Sequence, residues 1–347
     1  MNAPDRPKGG RRAALTLAVI TPVIAELLLG NPPLSKIWLM LLWIPIYGAG
    51  TVLIRELVRR RGGGWPPILL LGLAYGIVEE GLVLQALSSP TMYGVAGWAP
   101  RFLGLNSAYT ELNLPYHAVF SVALPILLAD LIFPSLRDRP YLKRTGLVVA
   151  GVVFVLGGLL LRVTVATSID PGYQAPVAVL AGCVVAVALL AFVALRVLHK
   201  ASAASPSTVR GARVGAWVAG GFGVLAGFGY LALLYPFGGA SQPAFTHGAW
   251  VAVPMLGAAA LAVLTGWLVR RWTASGEWTD RHSLCLAGGA LVGHTAFGVV
   301  SNAVTLADKL ELSALGLLTV VLLALLGRRL KPTGRRKGPR TFRAGMM

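Results

Sequence analysis

Tyr75-Gly76-Ile77-Val78-Glu79-Glu80-Gly81-Leu82-Val83-Leu84-Gln85 sets two adjacent carboxylates inside an apolar run that extends from about Pro67 to Leu87. A helix of that length can cross the roughly 30 Å hydrocarbon core of a bilayer. Ionisable side chains at such depth are costly unless they are paired, hydrated or used. The stretch therefore marks a membrane protein and nominates Glu79 and Glu80 as its site.

Composition extends this to the whole chain. Of 347 residues 56% are hydrophobic and only 13% charged, with a mean hydropathy of +0.71. Soluble chains carry about a quarter charged residues. The net charge of +18 does not point to nucleic acid, because the Lys and Arg residues fall in short segments between apolar runs. There they act as topology determinants and as partners for anionic lipid head groups. Cys183 and Cys285 lie inside apolar runs and suggest packed small hydrophobes, not a disulfide framework. Arg11-Arg12 and the apolar run to Gly30 are expected to form a retained first helix, since the run is too long for a signal-peptide core.

Apolar runs recur ten times, near 13–30, 37–57, 67–88, 116–134, 146–166, 176–197, 213–235, 249–269, 283–305 and 312–328. The expected fold is an all-α, polytopic bundle of about ten transmembrane helices, forming one domain over 13–328. A cytoplasmic segment, 1–12, precedes it, and a basic, disordered cytoplasmic tail, 329–347, follows. Basic residues alternate between connections as the positive-inside rule requires if both termini are cytoplasmic. The expected location is a cell membrane, the bacterial plasma membrane in particular. Ser88 to Pro115 reads as a long outer loop carrying Tyr93, Trp98 and Tyr109. Small residues at helical spacing mark close contacts, with Ala219, Gly223 and Gly227 in one run and Gly72 and Gly76 leading to Glu80 in another. His117-Ala-Val-Phe-Ser-Val and His294-Thr-Ala-Phe-Gly-Val echo each other half a chain apart, as a 5+5 inverted repeat would require.

Few ionisable residues fall within the runs. Neighbouring carboxylates in low dielectric do not both ionise cheaply, which suits Glu79 and Glu80 to general-base or proton-carrying work. Alternatively each bonds a different neighbouring helix. His117 is a candidate third catalytic residue. Glu26, Gln85, His294 and Asn302 are candidate binding residues, with His294, Gly298 and Asn302 on one helical face. His117 and His294 are also candidate ligands for a divalent metal. Asp130 is placed to pair with Arg55.

Gly76-Ile-Val-Glu79-Glu80-Gly-Leu-Val resembles the first motif of the CAAX-protease and bacteriocin-processing family of glutamate-dependent intramembrane proteases. The resemblance implies that the glutamates activate water beside histidines on separate helices, with His117 as the second-motif histidine. It covers about fifty residues. The family has an arginine where this chain has Leu84 and a phenylalanine where it has Asn113. Its third motif, His-x-x-x-Asn, has no counterpart in the next two runs.

Three functions fit these residues. One is a membrane hydrolase acting on an embedded peptide or small molecule. Another is a secondary or proton-coupled transporter with Glu79 and Glu80 as proton carriers and helices broken at Pro45, Pro125 and Pro254. The third is a non-catalytic assembly or immunity protein.

Overall fold

The computed structural model describes residues 9–93, 100–198, 211–234 and 248–330. Most of the expected terminal segments, 1–12 and 329–347, lie outside these, as does Trp98. Ten helical spans are long and apolar enough to cross a membrane. They are Gly10–Leu29, Leu34–Arg59, Trp65–Val83, Ser107–Ile132, Arg144–Ile169, Val177–Val197, Ala216–Leu234, Gly248–Thr273, Asp280–Ser301 and Leu306–Arg329, here spans one to ten. The chain is thus an all-α multi-pass membrane protein, with a two-stranded hairpin (Arg101–Phe102 with Leu105–Asn106) before span four.

Span four departs most from expectation, beginning at Ser107 and not near residue 116. Asn106 starts it, its side-chain oxygen accepting from the Tyr109 amide at 2.8 Å, as an N-cap does. Pro115 is therefore inside a helix, where its missing N–H leaves the Glu111 carbonyl without a donor. The Tyr230 hydroxyl of span seven fills that vacancy at 2.5 Å. Pro125 strands the Ser121 carbonyl in the same way, and the Thr51 hydroxyl donates to it at 2.7 Å. Neither Pro45, Pro125 nor Pro254 interrupts its span, so the expected breaks are absent.

Spans one to four, with span nine, form the enclosed part of the bundle. Span four is the most buried of all, whereas spans six, eight and ten mostly face outward. Gly72 lets span three touch span four, since a Cβ there would stand 2.7 Å from Ala118 Cα. The Ala219–Gly223–Gly227 ridge packs on span nine, where a Cβ on Gly223 would meet the Leu286 carbonyl oxygen at 2.4 Å. Small residues permit this close approach of backbones.

One face of the bundle is rich in arginine. Asp130 of span four accepts from Arg55 at 2.8 Å, the expected pairing, and also from Arg59 at 3.0 Å. Arg55 also donates to the carbonyls of Leu136, Arg137 and Arg139, pinning the connection after span four. Glu56 receives the backbone amides of Tyr141 and Leu142. Arg137 reaches Asp280 at the start of span nine at 2.8 Å.

Candidate functional site

His117 is the hub of the site, buried where spans two, three and four meet. Its Nε2 lies 3.3 Å from Glu80 Oε1, and its Nδ1 lies 3.4 Å from Glu79 Oε2 and 3.0 Å from the Ser121 hydroxyl. Glu80 is further fixed by the Tyr109 hydroxyl, which donates to its second oxygen at 3.2 Å. Among the described residues Glu79 Oε2 is buried without a well-formed hydrogen bond, as is the Tyr75 hydroxyl. The hydroxyls of Tyr47 and Tyr75 both face Glu79. Tyr47 donates to Glu26 at the end of span one.

Local helix geometry brings these groups together. The glutamates sit in a π-helical segment, Ile77–Val83, where the Leu84 amide bonds the Glu79 carbonyl five residues back. His117 opens a second such segment, His117–Ala123, and Tyr47 lies in a third, Ile44–Gly48. A π-bulge widens the turn, re-aims the side chains after it and recurs at functional sites. In this segment both glutamates reach one imidazole, while Glu79 also faces Tyr47 of span two and Glu80 also accepts from Tyr109 of span four. The glycines contribute too, because a Cβ at Gly76 would stand 3.3 Å from His117 Cβ. The rings of Tyr47, Tyr75 and Tyr116 surround the imidazole, their centroids 5.6 to 6.1 Å from its own.

Other nominated residues fall elsewhere. His294 is fully buried, its Nε2 2.9 Å from the Tyr116 hydroxyl and its ring stacked on Phe120 with centroids 4.4 Å apart. Because Tyr116 gives its proton to the Ala25 carbonyl, His294 must donate from Nε2, leaving Nδ1 without a hydrogen-bond partner among the described residues. The rings of Tyr116 and Phe120 engage His294, whereas carboxylates engage His117, so the donors do not fit a metal shared by the two. Among the described residues no three His, Cys, Asp or Glu side chains are arranged to hold a metal ion. Asn302 donates to the Leu29 carbonyl at 2.9 Å, and Gly298 lies against the same carbonyl, so this helical face docks the end of span one.

Gln85 shapes the far end of span three. Its backbone is left-handed, with φ 60°, and its side chain accepts from the Ala175 amide at 2.7 Å. Asp170 receives the hydroxyls of Ser89 and Thr91 at 2.5 and 2.6 Å. An arginine does reach Leu84, from span five, as Arg162 lies 3.4 Å from the Val83 and Leu84 carbonyls. Sequence reasoning missed Tyr47, Tyr75, Tyr109 and Ser121. Asn106, a capping residue ahead of Tyr109, was the one available signal for moving Tyr109 from loop to helix.

A family model described as an uncharacterized membrane protein family matches residues 15–332. No curated protein and no solved structure matches the chain.

Proposed function

The chain belongs to that uncharacterized membrane protein family, and from the site it carries we propose a glutamate-dependent intramembrane hydrolase that cleaves an amide bond in a membrane-embedded peptide. One observation carries this reading: the His117 imidazole is held between the Glu79 and Glu80 carboxylates, all three buried. A general base must be oriented and must keep a free lone pair for water. Glu79 Oε2, 3.4 Å from His117 Nδ1, carries no well-formed hydrogen bond among the described residues, whereas Glu80 is engaged at both oxygens, Oε1 by His117 and Oε2 by Tyr109. Glu79 takes a proton from water as the water oxygen bonds to the carbonyl carbon. His117 delivers a proton to the departing nitrogen as the C–N bond breaks, and recovers one from Glu79. The products are a carboxylic acid and an amine. The resemblance of the Glu79–Glu80 segment to glutamate-dependent intramembrane proteases supports the same assignment.

The test is cleavage of quenched fluorogenic peptides bearing an apolar span by the protein in lipid nanodiscs. Glu79→Gln should slow turnover by about 10²–10⁴-fold, the usual worth of a positioned base. Hydrolysis in ¹⁸O-water should label the new carboxyl group. Wild-type protein inert across an unbiased peptide set, or Glu79→Gln as active as wild type, rules the reading out.

A second reading, proton-coupled transport, draws on the third carboxylate. Glu26 and Tyr47 extend the acidic cluster into spans one and two, beyond what one general base requires. Proteoliposomes under an imposed pH gradient, with proton flux read by an internal pH dye, discriminate the two. Transport demands a flux that Glu79→Gln abolishes, and hydrolysis demands none.

A further inference from the structure

We infer that the buried site exchanges protons with the membrane face opposite the arginine-rich one, through Tyr47 and Glu26. This holds whichever chemistry the site performs, because either must return Glu79 and His117 to their starting protonation.

Accessibility provides the first ground. Glu79, Glu80 and His117 are 1%, 5% and 2% exposed, so none can trade a proton with water directly. Glu26 alone of the cluster retains appreciable accessible surface. It caps the end of the span-one helix, Gly10–Ala25, where the chain turns toward a small cavity lined by Leu27, Gly30, Pro33, Asn302 and Asp308.

Connectivity provides the second. The Tyr47 hydroxyl donates to Glu26 and also faces Glu79. A hydroxyl between two carboxylates has one proton to give and a lone pair to receive with. A proton on Glu79 passes to the Tyr47 oxygen as the Tyr47 proton passes to Glu26, and Glu26 then releases it to water. The net change is one proton moved and no bond otherwise altered. The titratable groups facing Glu26 are Tyr47, Glu79, Glu80 and His117, all members of the same cluster.

The opposite direction is mainly apolar. Val52, Ile68, Leu71, Val122 and Ile126 belong to one buried apolar cluster, and the Thr51 and Ser121 hydroxyls beside them are both engaged. The Arg55 and Arg59 guanidiniums, farther along the helix that carries Thr51, are bound to Asp130. Dry hydrocarbon offers a proton no carrier, and fixed guanidiniums repel it.

Vesicles sorted by orientation through a C-terminal tag allow the pH to be stepped on one face at a time. The readout is the infrared C=O band of protonated carboxyls, assigned to the site by its change in Glu79→Gln. A step on the Glu26 face should move the band promptly, and a step on the arginine-rich face should not. Glu26→Gln should slow the response at least about tenfold, a barrier increase of about 1.4 kcal/mol. Tyr47→Phe, which keeps the ring packing, should slow it similarly. An undiminished rate in both variants, or an equally fast response from the arginine-rich face, overturns the inference. The measurement needs no substrate, so an absence of hydrolysis leaves it intact.

Discussion

A proline in a buried helix strands a carbonyl four residues back, and this protein answers twice with a hydroxyl from a neighbouring span: Tyr230 for Glu111 and Thr51 for Ser121. The second case touches the site, because Ser121 also bonds His117. Thr51→Val should cost about 1–3 kcal/mol, the penalty for an unmet buried acceptor. In a Pro125→Ala background the helix regains its own N–H, so the same change should cost much less. Equal losses in the two backgrounds, measured by thermal unfolding in detergent, would contradict this account. Asp130 is bound by two guanidiniums, and Asp130→Asn leaves buried positive charge without its partner. That change should destabilise by about 3–5 kcal/mol. The Asp130–Arg55 pair was legible in the sequence, because two rare opposite charges in apolar runs have few other partners. The convergence of Glu79, Glu80 and His117 was legible only as a suspicion. Tyr47 and Tyr75 were not legible at all, because a tyrosine in an apolar run looks the same whether it packs or bonds.

At the level of elements, the ten spans could be read from hydropathy because each must fill the bilayer with apolar side chains. The start of span four could not. Ser107 to Pro115 carries Thr110, Glu111, Asn113 and a proline, all of which resemble a loop. It is helical because Asn106 caps it and span seven repairs its stranded carbonyl. The π-helical segments were equally hidden, since no residue pattern distinguishes one inserted residue in an apolar run. Close packing between spans seven and nine was visible in the glycine ridge. A Cβ at Gly289 would stand 1.9 Å from the Gly220 carbonyl oxygen, whereas one at Gly182 meets nothing within 4 Å. Gly289→Leu should therefore separate the two helices and lower the unfolding temperature sharply, with Gly182→Leu close to neutral. Comparable melting of both variants would remove the case for a backbone-close seam.

Across the whole molecule the enclosed part and the outward-facing part divide unevenly along the chain. Among the described residues His117 bonds Glu79, Glu80 and Ser121, and the cluster around them reaches back through Tyr47 to Glu26, all within the first four spans. Span nine joins this region from later in the chain, through Tyr116 and Phe120 on His294, Leu29 against Asn302 and Gly298, and Arg137 on Asp280. The site and its supporting helices are thus synthesised early. Gly81 and the native Cys183 offer a reporter, because a Cβ on Gly81 would lie 3.7 Å from Cys183 Cβ, within the span a disulfide requires. Gly81→Cys should crosslink to Cys183 in nascent chains stalled once span six has left the ribosome, as efficiently as in the finished protein. Crosslinking confined to chains that include span nine would mean the opposite order. Early assembly has a cost for the cell, because an acidic, proton-exchanging centre would exist in the membrane while half the protein is still unmade. The late docking of Asn302 and Gly298 onto Leu29 then fixes the stretch of chain beside Glu26. On this schedule translation itself is the safety catch, and the last spans to arrive decide when the centre is released for use.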